Sequence, residues 1–185
     1  MGIEESSKAF FEDFFKAIGE EGTREGLKDT RKRFLDSMTT LFSGYHEDPK
    51  EVLSTTFVTE CDEMVIVKDI EFYSMCEHHL LPFFGHISIG YIPSDRLVGI
   101  SSLARFVEIY SRRLQIQERL TTQIADTIAD IVKPKGIMVV CKARHMCMEM
   151  RGVESKSASV LTSALRGLFK KDSKTRAEFL EFIKG

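Results

Sequence analysis

The sequence predicts an α+β domain, an antiparallel sheet with a helix pair on one face, preceded by an N-terminal helical arm. Three observations carry this. Residues 10–42 hold two amphipathic helical patterns and no strand pattern; β-branched and aromatic stretches cluster at 54–72, 86–92 and 137–141; and a long helical block over 101–132 separates the last two. Helices and strands are thus grouped rather than alternating, which favours α+β over a parallel βαβ architecture. At 185 residues the chain can bury one ordinary core and still extend an arm. The expected division is an arm over residues 1–50 and a main domain over 51–185.

In chain order, Phe10, Phe11, Phe14, Phe15 and Ile18 recur at helical spacing, and Gly19 supplies a stop. The Gly- and Glu-rich stretch 19–26 reads as a polar linker. A second helix from about Asp29 carries Phe34, Leu35, Met38, Leu41 and Phe42 on one face and ends at Gly44. Arg31, Lys32 and Arg33 sit in its first turn, against the helix dipole, so this turn is either a solvated basic surface or an anion contact. After Asp48-Pro49, the segments Ser54–Glu60 and Met64–Phe72 read as a hairpin around Cys61-Asp62-Glu63. His86–Ile92 then alternates Ile87, Ile89 and Tyr91 against Ser88 and Gly90.

In the helical block, Leu103, Phe106, Val107 and Tyr110 mark one apolar face. Ile116, Leu120, Ile124, Ile128 and Ile131 mark a second, after a break near Leu114-Gln115. Taken alone, Ser101 reads as an N-cap and Arg105 as a surface ion-pair residue. Lys133-Pro134-Lys135-Gly136 ends the block, and Ile137–Cys141 has the continuous apolar run of a buried central strand. A further extended segment is expected between Ser157 and Leu165. The closing helix is expected over Ser173–Ile183, packing through Ala177, Phe179 and Leu180. Such a sheet leaves two edges open, and pairing with further copies is the economical way to cover them.

A net charge of −2 gives no global attraction to nucleic acid or an anionic membrane. Four cysteines without a signal-peptide pattern suit a reducing, cytoplasmic setting, where thiols serve metals or catalysis more often than disulfides. No apolar run reaches membrane-spanning length. Met1-Gly2-Ile3-Glu4-Glu5-Ser6 fits the loose N-myristoylation pattern but lacks the polybasic second signal that stable anchoring needs.

The densest chemistry lies in Cys76-Glu77-His78-His79. A thiol and two imidazoles are ligands of the kind Zn²⁺ takes, and Cys76 and His79, one turn apart, can converge on one ion. A third ligand is expected from His145-Met146-Cys147. Read as a strand, this run points His145 and Cys147 to one face, with Glu149 and Arg151 behind, and Met146, Met148 and Met150 to the core. Two cysteines and one histidine would leave a fourth tetrahedral position open, the mark of a catalytic rather than structural zinc site. The blander readings are a closed zinc knot or unrelated buried cysteines. Against a knot stands the spacing, a C-E-H-H half and an H-x-C half rather than two short pairs at finger distance.

Ser74-Met75-Cys76-Glu77-His78-His79-Leu80-Leu81-Pro82, Tyr91-Ile92-Pro93, Val98-Gly99-Ile100-Ser101, Gln115-Ile116-Gln117-Glu118-Arg119-Leu120-Thr121, His145-Met146-Cys147-Met148 and Met150-Arg151-Gly152-Val153 occur in one order. Together they resemble the successive motifs of GTP cyclohydrolase I. Arg24-Glu25-Gly26-Leu27 with Asp29-Thr30 is similar to that family's arm, and Lys174–Leu180 to its last helix. The resemblance implies the tunnelling fold, in which subunits join sheets edge to edge, and a homo-oligomer, a decamer of two pentamers with active sites at subunit interfaces. It implies conversion of GTP and water to formate and 7,8-dihydroneopterin triphosphate, with no nucleic-acid or membrane partner.

The same resemblance implies a Zn²⁺ cofactor held by Cys76, His79 and Cys147, with His145 as proton donor and His78 assisting transfer. Glu118, with Gln117 beside it, would read guanine; Ser101, Arg105 and Arg151 would contact triphosphate or ribose, and Arg33 would reach in from a neighbouring subunit. Three positions depart from the family's pattern: Ser102 stands where a phosphate-binding Lys is usual, and Arg31 and Leu114 each replace a Pro. Two other readings compete with this: a zinc-holding scaffold that binds a pterin or purine without turnover, and another tunnelling-fold enzyme of pterin or deazapurine metabolism. The first would not need His78 and His145, and the Cys-Glu-His-His and Gln-Glu-Arg motifs disfavour the second.

Overall fold

A computed structural model describes residues 3–184, so the lipidation pattern at Met1-Gly2 lies outside the described residues. The chain forms two compact units, divided between Leu41 and Phe42. In the first, α1 (Ile3–Ile18) and α2 (Thr30–Leu41) fall where the apolar periodicity places them. Phe11 and Phe15 are buried, and the rings of Phe11 and Phe34 meet edge to face at 5.4 Å. Gly19, at φ +80°, closes α1 through its N–H to the Lys16 carbonyl, a left-handed conformation that favours glycine.

The second unit begins with a 3₁₀ turn (Ser43–His46) and α3 (Pro49–Val52), which Asp48 caps through the Lys50 N–H. It continues with β1 (Thr56–Val58), β2 (Val65–Cys76), β3 (Pro82–Ile92), β4 (Arg96–Val98) and α4 (Ile100–Ser111). Next come β5 (Leu114–Gln115), α5 (Gln117–Val132), β6 (Gly136–His145), α6 (Met146–Glu149), β7 (Val160–Gly167), α7 (Leu168–Lys171) and α8 (Ser173–Ile183). The main sheet has the order β5-β2-β3-β6-β7, antiparallel except where β5 runs parallel to β2. The α+β class holds.

One expectation is corrected. Ser54–Glu60 and Met64–Phe72 do not form a hairpin: β1 pairs with β4, and β2 pairs with β3. The tight turn over residues 77–81 and the long β2–β3 ladder win over a loop at 61–63 that carries two acidic residues and no glycine. The expected helix pair lies on one face of the sheet, and a further helix packs on the other. α4 and α5 cover the face built by Ile87, Ile89, Val139 and Cys141, while α8 inserts Phe179 on the opposite face beside Met138 and Phe169. Gly90 makes that approach possible, because a Cβ there would stand 2.5 Å from the Phe179 ring.

Within the main sheet, β6 is buried on both faces through Ile137, Met138 and Val139, as its continuous apolar run requires. A bulge between Val67 and Ile70 places Asp69 at φ +57°, where its N–H reaches the Ser88 hydroxyl at 3.2 Å. α5 stops at Lys133, left-handed at φ +49°, just before Pro134. α8 spans the expected residues and is capped by Asp172, which accepts from the N–H groups of Lys174 and Thr175. Those bonds, with one from the Thr175 hydroxyl, hold the Asp172 carboxyl below its usual range. Of the three residues expected to pack this helix, Phe179 is buried and Ala177 and Leu180 are exposed.

Candidate metal centre

β2 ends at Cys76, and the chain turns back immediately. The Cys76 N–H donates to the Leu81 carbonyl at 2.9 Å, while the Cys76 carbonyl accepts from Leu80 at 2.9 Å and His79 at 3.3 Å. Leu80 adopts the left-handed conformation at φ +52° to close the turn. One tight turn therefore carries His79 back over Cys76, with Sγ and Nδ1 3.5 Å apart, and His78 Nδ1 lies 4.0 Å from the same sulfur.

Cys147 completes the cluster by a route the alternation did not predict. The strand ends at His145, and Met146–Glu149 wind into the single turn α6, closed by the Met150 N–H on the Met146 carbonyl at 3.0 Å. The extended reading of residues 145–150 is thus corrected: Glu149 is buried, and Met150 is 65% exposed instead of facing the core. The wound turn also brings Arg144 and Glu149 into an ion pair, joined by Nε to Oε1 at 2.8 Å and by Nη2 to Oε2. The wound turn brings the ligand atoms of Cys76, His79 and Cys147 within 4.8 Å of one another.

The donor set fits zinc. A tetrahedron with Zn–S near 2.3 Å and Zn–N near 2.0 Å has a sulfur–nitrogen edge of about 3.5 Å, and Cys76 Sγ and His79 Nδ1 stand 3.5 Å apart. Burial, and then the adjacent Cys76 sulfur, raise the Cys147 thiol above its ordinary value. A bound cation would reverse both effects, since thiolate ligands are deprotonated by the metal they hold. The other two cysteines stand apart: Cys61 is exposed, and burial pushes the Cys141 thiol up to about 12.

His145 is the second focus. It sits opposite Phe83 in the β3–β6 ladder, and the two rings stack at 4.7 Å and 7°. Its Nε2 faces the Gln117 Oε1 at 2.8 Å. Gln117 is fully buried at the start of α5, and its amide nitrogen lies within hydrogen-bond distance of Cys141 O, Val160 O and Thr162 Oγ1. Those acceptors orient the amide so that its oxygen meets the imidazole. Burial lowers the His145 pKa, opposed by the charges of Glu118 and Glu149.

The remaining residues fall at different distances. Glu118 is exposed in the first turn of α5, beside Gln117, and Arg151 is exposed just beyond α6. Ser101 is exposed in the first turn of α4 but does not cap it; the N-cap is Gly99, without a side-chain bond, which corrects the capping expectation. Arg105 pairs with Glu47 at 2.5 Å and Glu108 at 3.0 Å, and both raise its pKa. The end of α4 nearest the cluster is its C-terminus, where the Arg113 carbonyl accepts from Ser74 at 3.4 Å. At 1.5 Å per residue, Ser101 lies about 15 Å back along that helix. Arg33, in the first unit, pairs with Asp29 at 3.6 Å.

Two ion pairs escaped the sequence reading. One is Arg144 with Glu149; the other is Glu77 with Arg119, whose guanidinium also donates to Gln115 Oε1 at 3.0 Å and Leu114 O at 3.1 Å. Arg119 holds the Glu77 carboxyl below its usual range. No local pattern marks either pair: one joins residues 42 apart in the chain, and the other residues five apart, a spacing that neither helix nor strand periodicity brings together.

Scaffold and cluster together define a class: an α+β protein with a Cys76–His79–Cys147 group that could hold a metal ion at the end of its sheet, with His78 near Cys76 and His145 two residues before Cys147. The sequence model of the family described as GTP cyclohydrolase I matches residues 7–184. The GTP cyclohydrolase 1 of Helicobacter pylori (strain G27) is 59% identical over 176 residues, 95% of this chain and 98% of the relative. That of Wolinella succinogenes is 57% identical over 185 residues, 100% of this chain and 97% of the relative. Among solved structures, an archaeosine synthase QueF-like protein in the apo form shares 21% identity at a TM-score of 0.46, over 56% of this chain and 93% of that one. The chain belongs to the GTP cyclohydrolase I family.

Proposed function

We propose that this protein is a zinc-dependent GTP cyclohydrolase I that converts GTP and water to formate and 7,8-dihydroneopterin triphosphate in the cytoplasm. The observation that carries this is the convergence of Cys76, His79 and Cys147 on a chain of this family; His78, near Cys76, and His145, held by Gln117, are then the histidines free to carry protons. Zinc bound there would supply a water acidic enough to deprotonate near neutral pH.

The chain's own residues do the rest. Hydrolysis at C8 of guanine needs a proton delivered to N7, and His145 suits this because an imidazole can both give and take one. Gln117 and Phe83 fix the plane of that ring. His78, close to Cys76 and otherwise solvated, relays protons near the cluster. The Glu118 carboxylate accepts from guanine N1–H and the 2-amino group in bidentate fashion. Arg151, Ser101 and Arg105 bind the triphosphate and ribose, the phosphates replacing Glu47 and Glu108 on Arg105. Arg33 comes from a neighbouring copy.

Placement supports assembly. Ser101 is a helix length from the cluster of its own chain, and β2 and β7 leave most of their outer edges open. Copies joined edge to edge, as pentamers and then a decamer in the tunnelling fold, cover the edges and bring one chain's phosphate contacts to another's metal centre. Among the described residues no helix is long and apolar enough to cross a membrane.

Formate and dihydroneopterin triphosphate release from GTP by zinc-loaded protein, beside a His145→Ala control, tests the function. Turnover lost in the control is the expected result. GTP retained by zinc-loaded protein without turnover would instead identify a binding scaffold.

A further inference from the structure

Residues 144–149 satisfy two incompatible templates. Their alternation fits a continuation of β6, yet the chain winds into α6. In a strand, residues five apart lie about 16 Å apart and point to opposite faces. Arg144 and Glu149 are five apart, and they meet in a two-pronged ion pair. That contact exists only in the wound form.

We infer that the Arg144–Glu149 pair is a conformational lock that selects the wound turn over the strand and thereby holds Cys147 at Cys76 and His79. Arg144 starts from the sheet face of its ladder partner Phe84, over whose ring its guanidinium lies at 6.0 Å, so its base is fixed by β3. Glu149 is 9% exposed. A carboxylate so buried is tolerated only while paired, so loss of Arg144 favours any conformation that returns Glu149 to water. Unwinding α6 does this, and it carries Cys147 away with the turn. One backbone bond, Met150 N–H to Met146 O, closes α6, and Ser155 N–H to Met148 O at 2.9 Å ties it to the following loop. Neither distinguishes Glu149 from any other side chain; the ion pair does. Both residues are positioning residues, since neither supplies a ligand atom.

The inference rests on the cluster being a metal site. Zinc affinity measured by chelator competition, and the charge-transfer and ligand-field spectrum of cobalt-substituted protein, are compared for the parent, Arg144→Met, Glu149→Gln and Arg144→Lys. Expected are zinc affinities about 10- to 100-fold weaker in Arg144→Met and Glu149→Gln, the range for outer-shell partners of metal ligands. A weakened sulfur-to-cobalt band should accompany them, and Arg144→Lys should recover part of the loss. Glu149→Gln is isosteric, so it preserves packing if Arg144→Met does not fold. Met and Gln variants that bind zinc within twofold of the parent, with its cobalt spectrum, would overturn the lock. So would a Lys variant as weak as the Met variant, because charge would then not be what holds the turn. A parent that binds no zinc fails in its own measurement and overturns the metal reading itself.

Discussion

The two halves of the cluster reach the same few ångströms by different means. The Cys76–His79 half is closed by backbone: Cys76 N–H to Leu81, Leu80 N–H to Cys76, and Glu77 N–H to the Gln115 carbonyl of β5 at 3.0 Å, with the Glu77–Arg119 pair added on top. The Cys147 half stands just past the end of a strand, on a single turn with one closing backbone bond and one tie to the following loop, where on the inference above an ion pair decides against a competing extended form. Redundant bonds make the first half insensitive to the loss of any one of them. The second half depends on a charge.

Removing a ligand should have the largest effect and should not discriminate between the halves. Zinc binding by small sites totals about 10–16 kcal/mol over four ligands, so one ligand is worth roughly 3–4 kcal/mol. Cys76→Ser and Cys147→Ser are both expected to weaken zinc binding by about 10²- to 10³-fold, and both to abolish turnover. Equilibrium dialysis with zinc checks the first outcome, and formate release the second. If only one of the two lost zinc, the cluster would not be a three-ligand site and the comparison would end there.

The braces should separate the halves. Arg119→Met leaves the three backbone bonds of the first turn in place, so its zinc affinity should fall by less than about tenfold, below the loss expected for Arg144→Met. Equal losses would show that the first turn, too, depends on charge.

This asymmetry matches what was legible in the sequence. The spacing of Cys76 and His79 pairs them, because a short turn is a local object. The sequence brings Cys147 to the same cluster but on a strand instead of a turn: Met146, Met148 and Met150 alternate with polar residues, and nothing local marks Arg144 and Glu149 as neighbours. Gln117 was read as a substrate contact at the start of a helix. Its burial comes from strand carbonyls at Cys141 and Val160, which only the tertiary register delivers. The same limit produced the false hairpin. Whether β2 pairs with β1 or with β3 is decided by the whole ladder rather than by the loop between β1 and β2. The order of elements and the central strand were legible because long periodic segments identify themselves.

Substitution at the phosphate end should leave both halves untouched. Ser102 is followed by a buried Leu103 in α4, far along the helix from the cluster, and on the proposed function a cation at this position would meet the triphosphate. A charge-assisted hydrogen bond is worth about 1–3 kcal/mol. Ser102→Lys should therefore lower KM for GTP by roughly 5- to 150-fold, with kcat and zinc affinity unchanged. Steady-state kinetics and chelator competition on the same preparation provide the check; an unchanged KM would remove Ser102 from phosphate binding.

The smallest effect tests whether the Cys147 half is sensitive in itself or only reports general loosening of the second unit. Asp172 caps α8 on the sheet face opposite α5, away from the cluster. Its folded pKa is depressed by the Thr175 hydroxyl and by the N–H groups of Thr175 and Lys174. A depressed carboxylate contributes stability that is present above its unfolded pKa, near 4, and is lost as pH falls through the lower folded value. Asp172→Ala should thus lower the Tm of the metal-free protein by about 2–4 °C at pH 7, a difference that fades below about pH 4. Its zinc affinity at pH 7 should equal the parent's. Should Asp172→Ala weaken zinc binding as much as Arg144→Met, the fragility of α6 would belong to the unit as a whole. If it does not, the contrast between a backbone-closed turn and a charge-held one stands as a property of the centre.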